Sequence, residues 1–187
     1  FLPISSSAHL KILSEFFGLQ DPGSNLSAII QIASVLAIFI YFRKEFITNN
    51  IESESNYLYK NKIFKSILVG SISIIFLGGF IKFTIPHFYE TYLRSNLLIG
   101  ILSIFTAFLM YLSQLTKNND NSLENQSFLG IFLIGLAQSF AILPGVSRSG
   151  ITITMALFLG WKRIDAAKFS FLLGIPAISL AAFVEIV

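Results

Sequence analysis

The chain has 187 residues, of which 54% are hydrophobic and only 12% charged, and its mean hydropathy is +0.74. A soluble domain carries about 25% charged residues, so this composition, with 20 phenylalanines, specifies an integral membrane protein, helical throughout. A spread-out net charge of +3 argues against a nucleic-acid partner, and the lack of cysteine excludes a disulfide framework and thiolate metal sites. The sequence begins at Phe1 and stops at Val187 inside an apolar run, and so reads as an internal fragment.

In chain order, Phe1 to Leu19 mixes apolar residues with Ser5, Ser6, Ser7, His9, Lys11 and Glu15. It is too polar and too short for an ordinary span. Residues 20–24 form a turn by composition, and Leu26 to Phe42 is a spanning candidate with Gln31 as its strongly polar side chain. The polar stretch 43–62 reads as a solvated loop whose paired Glu52 and Glu54 make no metal site. Ile63 to Ile85 is the next span, with Gly70, Gly78 and Gly79 allowing close helix contact. Residues 86–95 are a short loop containing His87, Asn96 to Leu115 is a third span, and 116–126 is another polar loop. The loops 43–62 and 116–126 together hold five Lys/Arg against one in 86–95, which places the first two in the cytoplasm.

The remainder, 127–187, centres on Leu143-Pro144-Gly145-Val146-Ser147-Arg148-Ser149-Gly150, an interruption that brings one charge into a long apolar run. Proline removes a backbone donor and the glycines permit tight turns, so a helix breaks here and restarts at Gly150. Backbone N–H groups, hydroxyls and a guanidinium then converge on one point, which is the composition of a phosphate site. An arginine at membrane depth is costly and points to function. Residues 160–168, with Trp161, read as an interfacial turn, and Phe169 to Val187 as a last apolar segment broken at Gly174 and Pro176.

Shifting the first stretch by 142 residues lays Ser5, Ser6 and Ser7 on Ser147, Arg148 and Ser149, Phe16 on Phe158 and Gly18 on Gly160. Three spans, an odd number, separate the copies, so copies of like layout enter from opposite faces as an inverted repeat with broken helices. The expected fold is therefore an all-α multi-span helical bundle, one membrane domain, with an inverted repeat and two re-entrant motif segments, 1–42 and 127–187 flanking two spans in 63–115. The first motif offers hydroxyls and an imidazole, the second a fixed cation. Together they supply the parts of phosphoryl transfer, namely nucleophile, proton carrier and charge clamp.

Each of these residues also has a plainer role. Ser5, Ser6 and Ser7 would cap a helix beginning at Ala8, His9 would be a satisfied surface histidine, and Arg148 a snorkelling residue. Gln31 and Gln138 read as interhelical glue. The chemical reading takes Ser5, Ser6, His9 and Arg148 as catalytic, with Ser7, Gly145, Ser147, Ser149 and Gly150 binding substrate. Transport is the rival, since a lipid-phosphate flippase or anion carrier shares inverted repeats and broken helices.

The two motifs resemble those of the undecaprenyl-diphosphate phosphatase family, the bacitracin-resistance type of membrane phosphatase. The resemblance is carried by Phe1 to Leu10, Asp21-Pro22-Gly23, Tyr41 to Lys44, Gly135 to Gln138, Pro144 to Gly150 and Phe169 to Leu173. It implies hydrolysis of undecaprenyl diphosphate to undecaprenyl phosphate and inorganic phosphate in a bacterial plasma membrane, recycling the carrier for cell-wall synthesis. Ser5 or Ser6 would be the nucleophile, His9 the proton carrier and Arg148 the diphosphate clamp. It also implies a divalent cation, Mg2+ or Ca2+, whose acidic ligands would precede Phe1. The expected partners are the polyprenyl diphosphate and membrane lipids, with homodimer formation left open.

Overall fold

The protein is described by a computed structural model covering residues 3–19, 23–43, 54–84, 93, 95–116 and 121–186. His87 and Glu52 lie outside these residues. Seven α-helices are described: α1 (Ser6–Phe16), α2 (Gly23–Tyr41), α3 (Glu54–Thr84), α4 (Asn96–Gln114), α5 (Phe128–Ser139), α6 (Arg148–Phe158) and α7 (Arg163–Ile186). Three of them hold stretches long and apolar enough to cross a membrane: Asn61–Ile81 in α3, Asn96–Gln114 in α4 and Arg163–Phe183 in α7. Large apolar side chains point outward along these helices, among them Phe76 and Leu97, each 77% exposed. Such faces suit lipid, while every helix satisfies its own backbone as the hydrocarbon core requires.

Helices α5 and α6 are different. At 12 and 11 residues each is about 18 Å long or less, short of the roughly 30 Å hydrocarbon thickness. A 3₁₀ turn over Phe140–Ile142 follows α5, and the chain then doubles back. The two ends of this hairpin meet again: Asn121 pairs with Trp161 in an isolated bridge, and Lys162 N–H donates to Asn121 O at 3.0 Å. The hairpin thus enters and leaves on one side. Its polar approach, expected to be a free loop, is built in, with Leu123 buried in the second of two 3₁₀ turns described, Leu123–Asn125.

Glycine sets the closest contact. A Cβ on Gly135 of α5 would lie 2.7 Å from the Gly70 Cα of α3, so these helices meet backbone to backbone, as small residues allow in lipid. Gly70 packs on Leu173 of α7. Around this contact lies the core of Ile63, Ile131, Ile134, Leu157, Trp161, Phe169, Leu172 and Leu173.

Four expectations need correction. Residues 54–62, read as loop, form the first turns of α3; they are polar because a 31-residue helix outreaches the hydrocarbon at about 46 Å. Residues 163–168, read as an interfacial turn, open α7, and α7 runs unbroken past Gly174 and through Pro176. Trp161 is fully buried against Phe169, ring centroids 5.3 Å apart. Gln138 is fully buried with neither amide atom hydrogen-bonded among the described residues, so it bridges no two of the described helices.

Candidate active site

The hairpin tip is seated on α4. Gly145 has φ +100°, a conformation side chains resist, and a Cβ there would fall 2.5 Å from the Ile99 carbonyl oxygen. Ser103 Oγ donates to Gly145 O at 3.2 Å. Ser147 is the N-cap of α6, its Oγ accepting from Gly150 N–H at 3.2 Å. The helix therefore restarts at Arg148, not at Gly150. Its first-turn N–H groups at Arg148 and Ser149 have no intrahelical acceptor and point out of the helix end, where anions are favoured. Ser147 and Ser149 are buried, and Gly150 lies against Met110 Sδ.

Arg148 is half-buried and held from α7. Its Nη1 donates to Ser170 O at 3.0 Å, and its guanidinium lies over Gly174. Below it, Thr152 Oγ1 is 2.9 Å from Arg148 O and 3.2 Å from Ser149 O. The same hydroxyl is 2.7 Å from Ser170 Oγ; with Thr152 donating to a carbonyl, Ser170 donates to Thr152. Thr152, Ser170 and Gly174 were missed by sequence reasoning. Their signal is a spacing of four residues, Arg148 to Thr152 and Ser170 to Gly174, which places each pair on one helix face.

The first motif is organised around Ser5, the N-cap of α1 with φ +57°. A left-handed residue other than glycine is strained by about 1–2 kcal/mol. Ser5 is buried and its hydroxyl has no partner among the described residues; it does not cap α1, and α1 begins at Ser6 rather than Ala8. His9 Nδ1 lies 3.0 Å from Ser5 O. That carbonyl selects the tautomer with hydrogen on Nδ1, which leaves the Nε2 lone pair of an exposed ring free to take a proton. Ser6 is exposed in the first turn, and the Ser7 side chain lies outside the described residues.

The two motif segments fold alike. Each carries an 11-residue helix followed by a left-handed glycine, Gly18 with φ +63° and Gly160 with φ +78°. Gly18 N–H bonds to Glu15 O and Leu19 N–H to Ser14 O, as Gly160 bonds to Leu157 and Trp161 to Ala156, the same Schellman closure shifted by 142. Both segments border the first turns of α4: Asn96 Nδ2 donates to Glu15 of α1 at 2.5 Å, and the hairpin tip rests on Ile99. The hydrogen bonds described for Ser5 and His9 stay within their own segment, and the side-chain bond of Arg148 runs to α7. The structure thus assembles Arg148, Gly145, Ser147, Ser149 and Gly150 at one tip, with the serine–histidine motif on a separate helix sharing α4 as neighbour.

A helical membrane protein whose short-helix hairpin presents an arginine at a helix N-terminus belongs to the class equipped to bind an anion. The sequence matches the family model described as bacitracin resistance protein BacA over residues 1–187, and the chain belongs to that family. It is 54% identical over 191 residues to an undecaprenyl-diphosphatase of Prochlorococcus marinus strain MIT 9515, covering all of this chain and 71% of that protein. A relative of the same name from strain MIT 9301 is 53% identical with the same coverage. One from Synechococcus sp. strain CC9605 is 42% identical, covering all of this chain and 67% of its own.

Proposed function

We propose that the protein is an undecaprenyl-diphosphate phosphatase, a membrane hydrolase releasing undecaprenyl phosphate and inorganic phosphate. The observation that carries this reading is Arg148, pinned by one N–H to Ser170 O at the N-terminus of α6, beside the apolar span Arg163–Phe183. A guanidinium has five N–H donors, so four remain to hold diphosphate oxygens. The names of the relatives favour hydrolysis over transport.

In the mechanism that the residues support, a hydroxyl of Ser5 or Ser6, or a water beside them, attacks the terminal phosphorus. His9 takes the nucleophile's proton at Nε2, the anhydride P–O bond breaks, and undecaprenyl phosphate leaves. If serine attacks, water then hydrolyses the phosphoserine. Arg148 and the α6 N–H groups bear the charge on the equatorial oxygens, where fixed donors lower the barrier most. Ser147 and Ser149 line the same end, and Gly145 shapes the turn.

The described residues contain no group of three or more His, Cys, Asp or Glu able to hold a metal. The divalent cation, Mg2+ or Ca2+, is proposed on the family resemblance alone. The hairpin tip rests near the start of α4 and its foot near the end, where Arg163 hydrogen-bonds Gln114. With the basic loops cytoplasmic, that geometry favours a site nearer the outer face of the bacterial plasma membrane. Product phosphate there re-enters the carrier cycle for wall polymers, in keeping with bacitracin resistance.

The experiment is phosphate release from undecaprenyl diphosphate by purified full-length protein in detergent, with and without EDTA. Release by wild type that EDTA stops is expected. Binding of the lipid without release would overturn the hydrolase reading, and release unaffected by EDTA would remove the cation.

A further inference from the structure

We infer that Ser170 and Gly174 form a socket on α7 that sets the orientation of Arg148, and that both are positioning residues for the reaction proposed above. In an α-helix the carbonyl of residue i points towards residue i+4, whose side chain normally covers it. At 174 there is no side chain, and the carbonyl of Ser170 is open from the side. The guanidinium occupies that opening, with Nη1 donating to Ser170 O at 3.0 Å. All three nearest heavy atoms that a Cβ on Gly174 would meet belong to the Arg148 guanidinium, Nη2 at 2.5 Å and the other two closer. The missing methyl and the arginine head group claim the same space.

A second connection comes from the Ser170 hydroxyl, which is buried and 2.7 Å from Thr152 Oγ1. Thr152 in turn sits under the Arg148 and Ser149 carbonyls. One serine therefore fixes both ends of the clamp residue, the head group through its carbonyl and the backbone through its hydroxyl. An unrestrained arginine loses rotamer freedom on binding an anion. Here part of that freedom is already removed by the bond to Ser170 O. Preorganisation of this kind lowers the barrier because no reorientation is needed as charge develops.

The test is a double-mutant cycle between α7 and Arg148 on the full-length protein. Gly174→Val forces the guanidinium out, and Ser170→Ala removes the hydroxyl but keeps the carbonyl. Phosphate release (kcat and KM) is measured in each. Affinity for a non-hydrolysable polyprenyl methylene-diphosphonate is measured in each variant and again in the Arg148→Ala background. The expected result is a loss of at least about tenfold in kcat/KM for Gly174→Val and about threefold for Ser170→Ala. Both should also weaken analogue binding, and that weakening should shrink to less than about twofold once Arg148 is gone. Equal weakening in the two backgrounds would show that α7 acts through packing and would overturn the socket. So would a folded Gly174→Val with wild-type kcat/KM. Gly79→Val is the control for valine in this bilayer, since nothing lies within 4 Å of its Cβ position. If Gly174→Val does not fold, Ser170→Ala decides by the same criterion. A wild type that binds the diphosphonate but hydrolyses nothing would remove the phosphatase reading while leaving the socket to be judged on binding.

Discussion

The helices α1 and α6 are matched in length and C-terminal closure but differ at the residue that starts them. Ser147 is extended and its hydroxyl holds Gly150 N–H; Ser5 is left-handed and buried, and its hydroxyl has no partner among the described residues. One segment uses its serine to secure a helix that presents a fixed cation. The other keeps its serine unengaged, with a histidine bonded to the same residue's carbonyl. In the mechanism proposed above, the first segment is the chemical half and the second the static half, and the left-handed non-glycine residue, Ser5, lies in the first.

Removing the fixed cation should separate the halves most. Arg148→Ala is expected to lower kcat for phosphate release by about 10²–10³-fold with the fold retained in a detergent melting assay. His9→Ala follows at about 10²-fold, the usual weight of a positioned proton carrier; if it were silent while Arg148→Ala was inactive, the chemical half would lose its role. The serines give the sharper contrast. Ser147→Ala removes a cap and is expected to destabilise by about 1 kcal/mol, seen as a lower melting temperature. Ser5→Gly relieves the left-handed strain and should stabilise by about 1 kcal/mol while reducing phosphate release. The smallest effect is expected from Gly18→Ala, where no atom lies within 4 Å of the Cβ position; only backbone strain of about 1 kcal/mol remains, and turnover should hardly change.

How far the sequence revealed this division depends on where the determinants lie. The spans were legible because lipid demands unbroken apolar runs, and α4 at Asn96–Gln114 falls within one residue of its expected end. The hairpin turn was legible because Pro144 and Gly145 have strong local effects. The repeat of Ser5–Gly18 in Ser147–Gly160 was visible as spacing, and the backbone bonds of the two segments coincide at that spacing. Features that depend on neighbours were not legible. Pro176 reads as a helix end, yet in a packed bundle its missing N–H is tolerated and α7 continues. The packing of Trp161 on Phe169 is not visible until α7 is folded beside it. Ser170 and Gly174 carry no chemical signal beyond their spacing until a second helix sets Arg148 over them, so sequence singles out the arginine but not its neighbours on α7.

The closed foot of the hairpin, where Asn121 meets Trp161, also fixes a parity. A segment that returns to the face it entered adds nothing to the number of crossings, so about forty apolar and polar residues change depth without changing compartment. The Lys162–Arg163 end of α7 therefore shares a compartment with the polar approach to α5, and α7 must cross in the same sense as α3. Counting hydrophobic runs alone would add a span here and reverse the side assigned to everything after it.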